Sequence, residues 1–277
     1  MGQQPNQCKP ERPSALEGRR MILDFIPVES FQIAGVSFEG RQDFVSNLQP
    51  DQAVMMVKQP DNTYDPNAVA VQTLHGQDLG YVPKEHTARF PHDVTFGHVY
   101  SVGQNAKGLW GATVAVRPTL PPLTVEAFPA NLAAHINMSS NLPEEEWSAI
   151  RKVTYRKADY KCEVSGGVGT EWPVECHEVW RFHEGSQTLQ LRGFMALHPE
   201  VHLAKHLERQ QDDKRRQQAI WMLQAMNEWT VAEAEEYWKF ARDTAMRRSS
   251  QEWKFDLSWL SSNNFTIPPK LRQLCRQ

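Results

Sequence analysis

The sequence predicts an α+β protein, with a small β-barrel on the N-terminal side and a hairpin-and-helix domain on the C-terminal side. Three observations carry this reading. Short alternating apolar segments recur over residues 27–117, separated by turn residues. Pro118, Pro121, Pro122 and Pro129 then crowd one stretch, which reads as a linker. Beyond it the apolar period shifts from two to the three-and-four spacing of helices. With 277 residues, 40% of them apolar, the chain is long enough for two domains that each bury a core. The boundaries we assign are 1–27 for a flexible tail, 28–117 for the barrel, 118–141 for the proline-rich linker and 142–277 for the C-terminal domain with a helical tail.

Each element has its own signal. The N-terminal stretch is polar and contains prolines, with no apolar signal core. Phe31-Gln32-Ile33-Ala34-Gly35-Val36-Ser37-Phe38, Ala68-Val69-Ala70-Val71 and Ala112-Thr113-Val114-Ala115-Val116 alternate, and Val54-Met55-Met56-Val57 is a short buried run. Gly40, Asn62, Asp65-Pro66-Asn67, His75-Gly76 and Gly80 mark the turns between them. Several short strands in about ninety residues fit a small barrel, with one short helix over residues 84–90. Pro143 followed by Glu144, Glu145 and Glu146 starts a helix, since acids favour the positive end of the helix dipole. Residues 160–197 read as a glycine-containing hairpin. Thr230 and Glu233 form a capping box for a helix running towards Arg247. Trp221, Met222, Ala225, Met226 and Trp229 give an apolar helical stripe, read as core.

Composition narrows the function. No run approaches the ~18 apolar residues of a membrane span. Cys8, Cys162, Cys176 and Cys275 are scattered and form no CxxC pair, which fits a reducing, cytoplasmic setting rather than a disulfide framework. The formal charge of −3 is spread evenly, with ten basic and twelve acidic residues over 1–118 and twenty and twenty-one over the rest. A nucleic-acid partner therefore needs a local site, because no strong domain-wide field is available.

Three histidines carry the sharpest chemical signal. His202 and His206 are four residues apart, so a helix stacks them on one face. His177 lies in Val174-Glu175-Cys176-His177-Glu178-Val179-Trp180, a β-branched and aromatic stretch that reads as strand. One strand histidine and a helical pair make a three-ligand divalent-cation site with open positions. Ordinary surface histidines are the alternative.

Two family resemblances extend these readings. Asn62-Thr63-Tyr64-Asp65-Pro66-Asn67-Ala68-Val69-Ala70-Val71, followed by Leu79-Gly80-Tyr81-Val82-Pro83, resembles the HIRAN domain over about residues 30–117. The resemblance implies an OB-like or SH3-like barrel that binds DNA, gripping single strands at their 3′ ends. It implies that Tyr64 stacks on the terminal base, Asp65 accepts a hydrogen bond from the free hydroxyl, and Asn62 and Phe38 are neighbouring contacts. Where the family has Arg-Tyr-Tyr the chain reads Ser37-Phe38-Glu39, so a phosphate-contacting arginine is missing. Asp65-Pro66-Asn67 is also good turn chemistry in its own right, and packing of Tyr64 against the barrel is the structural alternative.

Residues 142–260 resemble the HNH (ββα-metal) nuclease module. That resemblance implies a single divalent cation (Mg, Mn, Ni or Zn) held by His177, His202 and His206. Glu178 then stands as general base where most of the superfamily has histidine, and Glu175, on the strand face of His177, is a second candidate. The structural-zinc knuckles read Cys162-Glu163-Val164-Ser165 and His198-Pro199-Glu200-Val201. Serine and valine cannot replace thiolates, so no structural zinc is expected. Together these imply a metal-dependent HNH-like nuclease that recognises DNA ends or single strands, in repair or defence. A catalytically inactive DNA-binding adaptor is the alternative, and a metal-binding interaction module without nucleic acid is a third reading.

Overall fold

The computed structural model describes residues 14–132 and 137–275. Six strands, β1 (Glu29–Gln32), β2 (Ala53–Lys58), β3 (Val69–Thr73), β4 (Asp78–Tyr81), β5 (Val94–Gln104) and β6 (Trp110–Val116), form one antiparallel sheet in the order β1-β6-β5-β2-β3-β4. The sheet curls until its two edges meet: Ala34, just past β1, exchanges two backbone hydrogen bonds of 2.8 and 2.9 Å with Tyr81 at the end of β4. Gly80 permits that meeting, since a Cβ there would fall 2.3 Å from the Ala34 carbonyl oxygen. A 3-10 turn spans Lys84–Arg89.

β2 explains its own unbroken apolar run. Val54 and Met56 face the inside of the curl with Val71, Leu79, Val99 and Val114. Ala53 and Met55 face the opposite way, into a core built from C-terminal helices. Both faces are dry, so alternation disappears.

Two stretches depart from the boundaries set by sequence. Residues 1–13 of the expected tail lie outside the described residues, but the rest of it carries helix α1 (Ala15–Leu23). Ser14 and Glu17 form a capping box there, a signal hidden in a polar segment. α1 is seated on the C-terminal domain: Arg19 is buried and donates to the Pro121 and Val164 carbonyls at 2.8 and 2.9 Å. The proline-rich linker is likewise packed. Leu123, Val125, Ala127 and Phe128 are all buried, because Leu-Thr-Val-Glu-Ala is a period-two strand pattern that the prolines obscure. Residues 133–136 of that linker lie outside the described residues.

After α2 (Arg41–Val45) in the barrel, the remaining helices are α3 (Met138–Asn141), α4 (Glu144–Lys157), α5 (Pro199–Lys205), α6 (Asp213–Asn227), α7 (Val231–Ser249), α8 (Ser258–Ser262) and α9 (Pro269–Arg272). The C-terminal sheet pairs β7 (Glu175–His183) with β8 (Thr188–Leu197) as a hairpin, and β9 (Lys254–Asp256) joins β8 in parallel. α5 begins directly after β8: His198 caps it by accepting from the Glu200 backbone N–H, and Pro199 opens its first turn. On α6 the buried face is Ala219, Met222, Leu223 and Met226, and Trp221 falls outside it, 46% exposed. The sequence stripe was therefore one residue too wide.

The turn at residues 162–167 is closed by hydrogen bonds to Cys162. Cys162 Sγ accepts from the Ser165 N–H at 3.3 Å, and the Cys162 carbonyl accepts from Gly166 at 2.7 Å. Cys162 and Val201 lie in one apolar cluster with Val164, Val174 and Leu197.

Candidate functional site

On the barrel, the β2–β3 loop is built by its own side chains. Asn62 Oδ1 accepts from the backbone N–H groups of Tyr64 and Asp65 at 3.0 and 3.2 Å, and Asp65 Oδ1 accepts from Asn67 at 2.8 Å. These Asx turns leave Tyr64 98% exposed, so its ring does not pack against the barrel. Phe38 is 65% exposed on the segment that follows the Ala34–Tyr81 bridge. Tyr81 also pairs with Ala70, two residues past the Asp65-Pro66-Asn67 turn and Ala68. The end of β4 thus lies between the segments that carry Phe38 and Asp65. Arg41 is no substitute for the missing phosphate contact. It is buried, donates to the Gly35 carbonyl at 3.0 Å, pairs with Glu39 and lies over the Tyr81 ring.

In the C-terminal domain the hairpin-then-helix order brings His177, His202 and His206 together. One ring nitrogen from each lies within 4.8 Å of the others, and the ring centroids are 4.8 to 5.1 Å apart. A zinc-sized ion with bonds of about 2.1 Å holds tetrahedral donors roughly 3.4 Å apart. His202 Nε2 and His206 Nε2 already face each other at 3.3 Å.

Carboxylates engage one nitrogen on each of two of these rings. His202 Nδ1 is 2.6 Å from Glu175 Oε2, and His177 Nε2 is 2.9 Å from Glu126 Oε1. An ionised carboxylate only accepts, so the hydrogen in each pair sits on the imidazole. That leaves His202 Nε2 and His177 Nδ1 as the lone-pair nitrogens. The Nδ1 atoms of His177 and His206 are buried and have no hydrogen-bond partner among the described residues. Orphaned imidazole nitrogens beside carboxylate-braced rings are what a cation site requires.

The electrostatics agree. Burial, only partly opposed by Glu126, pushes His206 down to about 3, so its ring is neutral as a metal ligand must be. Burial alone would raise Glu126, but its hydrogen-bonded neighbour His177, together with Lys205, outweighs that and holds the carboxyl below the usual range. The hydrogen bond from His202 lowers Glu175. Glu208, one turn on, is pushed up to about 7 by burial, with Arg209 opposing.

Glu178 is placed differently. Adjacent strand residues point to opposite faces, and Glu178 Oε1 accepts from the Met138 N–H at the start of α3, 2.7 Å away. Burial raises its carboxyl above the usual range. His202 and His206 line a cleft open to solvent, with Glu175, Gln210, Arg215 and Gln218, while His177 lies buried behind them. Of Lys214, Arg215 and Arg216, only Arg215 lines that cleft, while Arg216 pairs with Asp213. Glu126 leaves one signal in the sequence, a single acid within an alternating apolar stretch.

Residues 28–99 match the family model of the HIRAN domain. This segment is similar to a HIRAN domain. The match spans 72 of the 277 residues and leaves the C-terminal domain outside it. Among solved structures, the crystal structure of the HIRAN domain of human HLTF matches over 33% of this chain and 78% of its own, at 16% identity and a TM-score of 0.23. No curated protein matches the chain. No helix among the described residues is long and apolar enough to cross a membrane.

Proposed function

We propose that this chain binds DNA through its HIRAN domain, at single strands or 3′ ends, and hydrolyses phosphodiester bonds at a divalent cation held by His177, His202 and His206. The setting is DNA repair or defence in the cytoplasm. The observation that carries the proposal is the convergence of three imidazoles, two of them braced by carboxylates and two of them lining an open cleft. A three-nitrogen donor set suits Zn²⁺ or Ni²⁺, with Mg²⁺ and Mn²⁺ as further candidates. Bound there, a cation supplies Lewis-acid stabilisation of charge on the phosphate and the leaving oxygen.

The chain's residues do the rest. Glu175 and Glu126 fix the rings, and Arg215 offers a guanidinium to the phosphate at the cleft wall. Glu178, its carboxyl raised by burial above the usual range, is the proposed general base, and Glu175, which shares the strand face of His177 and lines the cleft, is the second candidate. On the barrel, Tyr64 and Phe38 offer ring faces to bases, and Asn62 holds the loop that aims Asp65.

One observation favours a second reading, an inactive DNA-binding adaptor: the Glu178 oxygen is engaged by the Met138 N–H. Cleavage of labelled DNA by the wild type and by Glu178→Gln decides between them. The amide oxygen still accepts from Met138, so the variant folds, retains the cation and loses most hydrolysis. A wild type that binds cation and DNA yet cuts nothing with Mg²⁺, Mn²⁺, Ni²⁺ or Zn²⁺ leaves the adaptor.

A further inference from the structure

Glu126 lies in the stretch that the prolines disguise, and its surroundings fix it unusually firmly. Its N–H donates to the Lys205 carbonyl at 2.9 Å, and Lys205 Nζ returns to Thr124 Oγ1 at 2.8 Å. Upstream, Leu123 exchanges two hydrogen bonds with the buried Asn227 side chain, at 3.1 and 2.8 Å. Downstream, the Ala127 carbonyl accepts from Arg248 at 2.9 Å. The segment is therefore strapped to the ends of α5, α6 and α7, and the carboxylate it carries ends against the one histidine of the three that is 1% exposed.

We propose that Glu126 is a positioning residue of the cation centre: it holds His177 in the Nε2–H tautomer and so presents Nδ1 as the ligand atom. This inference rests on the cation-binding reading of the three histidines. The alternative is a plain ion pair between Glu126 and a doubly protonated His177. That would bury the Nδ1–H as a donor with no acceptor among the described residues, at the full cost of desolvating it. A neutral ring leaves a lone pair there instead. Glu175 and His202 repeat the relation through the opposite ring nitrogen, with Glu175 more exposed. The charge that Glu126 buries is offset by Lys205.

The test is calorimetric titration of the full chain with Zn²⁺ alone, for wild type, Glu126→Gln, Glu126→Ala and a His202→Ala control that lacks the site. Ring ¹⁵N shifts of His177 are recorded on the same samples. Glu126→Ala weakens Zn²⁺ binding by about 10–100-fold. Glu126→Gln loses less, because its oxygen still accepts from Nε2–H. His177 reports the Nε2–H tautomer in wild type and a mixture in the alanine variant. Should Glu126→Ala fail to fold by circular dichroism, Glu126→Gln and the wild-type tautomer decide alone. Zn²⁺ uptake unchanged in both variants, or a doubly protonated His177 in wild type at pH 7, overturns the role of Glu126 and leaves the cation site standing. No Zn²⁺ uptake by wild type overturns the underlying reading and this inference with it.

Discussion

Tyr64 shows what an exposed side chain reveals about role. A ring 98% exposed contributes almost nothing to the core, so its removal separates binding from stability. If it stacks on a terminal base, Tyr64→Ala costs ~1–3 kcal/mol in single-strand affinity and leaves the melting temperature unchanged. If Asp65 accepts from the terminal hydroxyl, a 3′-phosphorylated oligonucleotide binds markedly worse than one with a free end. Titration of both oligonucleotides by fluorescence anisotropy checks each point, and equal affinity for blocked and free ends removes end recognition. Residues with a local signature were legible in this way, because an Asx turn or a histidine pair four apart is written in consecutive positions. Glu126 was not. Its meaning depends on a histidine 51 residues away, and nothing in the local sequence states that pairing.

At the scale of elements, the hairpin and the helix that follow one another place the three histidines, and their junction is short. β8 ends at Leu197, His198 caps α5, and the helix ends with His202 in its last turn and His206 at its cap. Holding β7, β8 and α5 together falls to apolar packing among Cys162, Val164, Val174, Leu197 and Val201. Cys162 and His198 supply at most two of the four ligands a structural zinc needs. Thermal melts with and without a strong chelator should therefore differ by little beyond the contribution of the histidine site. Collapse of the C-terminal domain on chelation would show that a structural metal had been missed. The strands and the long helices were legible because their periods of two and three-to-four are strong. The tail and the linker were misjudged for the opposite reason: a capping box in polar sequence, and an alternation broken by prolines, each carry too little local signal to compete with composition.

Across the whole molecule, the barrel and the C-terminal domain share a core rather than a flexible joint. Phe96 on β5 meets Trp229 and Tyr237 edge-on at 4.6 and 5.4 Å. Glu233, while completing the capping box of α7, also accepts from the Ala53 N–H at 2.8 Å. Arg117–Glu228, Arg181–Asp93 and His75–Glu236 ring this contact. The exposed pairs add little individually, and the aromatic cluster contributes most. That shared core is not legible in the sequence, because the outward face of β2 and the buried faces of α6 and α7 are complementary only in three dimensions. A near-neutral chain also lacks the general field that would draw DNA to any surface, so the proposed binding and hydrolysis call for separate local sites that one substitution can uncouple. His202→Ala, assayed on a single preparation for cation uptake, single-strand binding and cleavage of labelled DNA, tests the account most directly. The wild type should take up one divalent cation per chain and cut, while the variant does neither and still binds DNA through the barrel. A variant that keeps the cation and its cutting, or a wild type that takes up no divalent ion, would contradict the account.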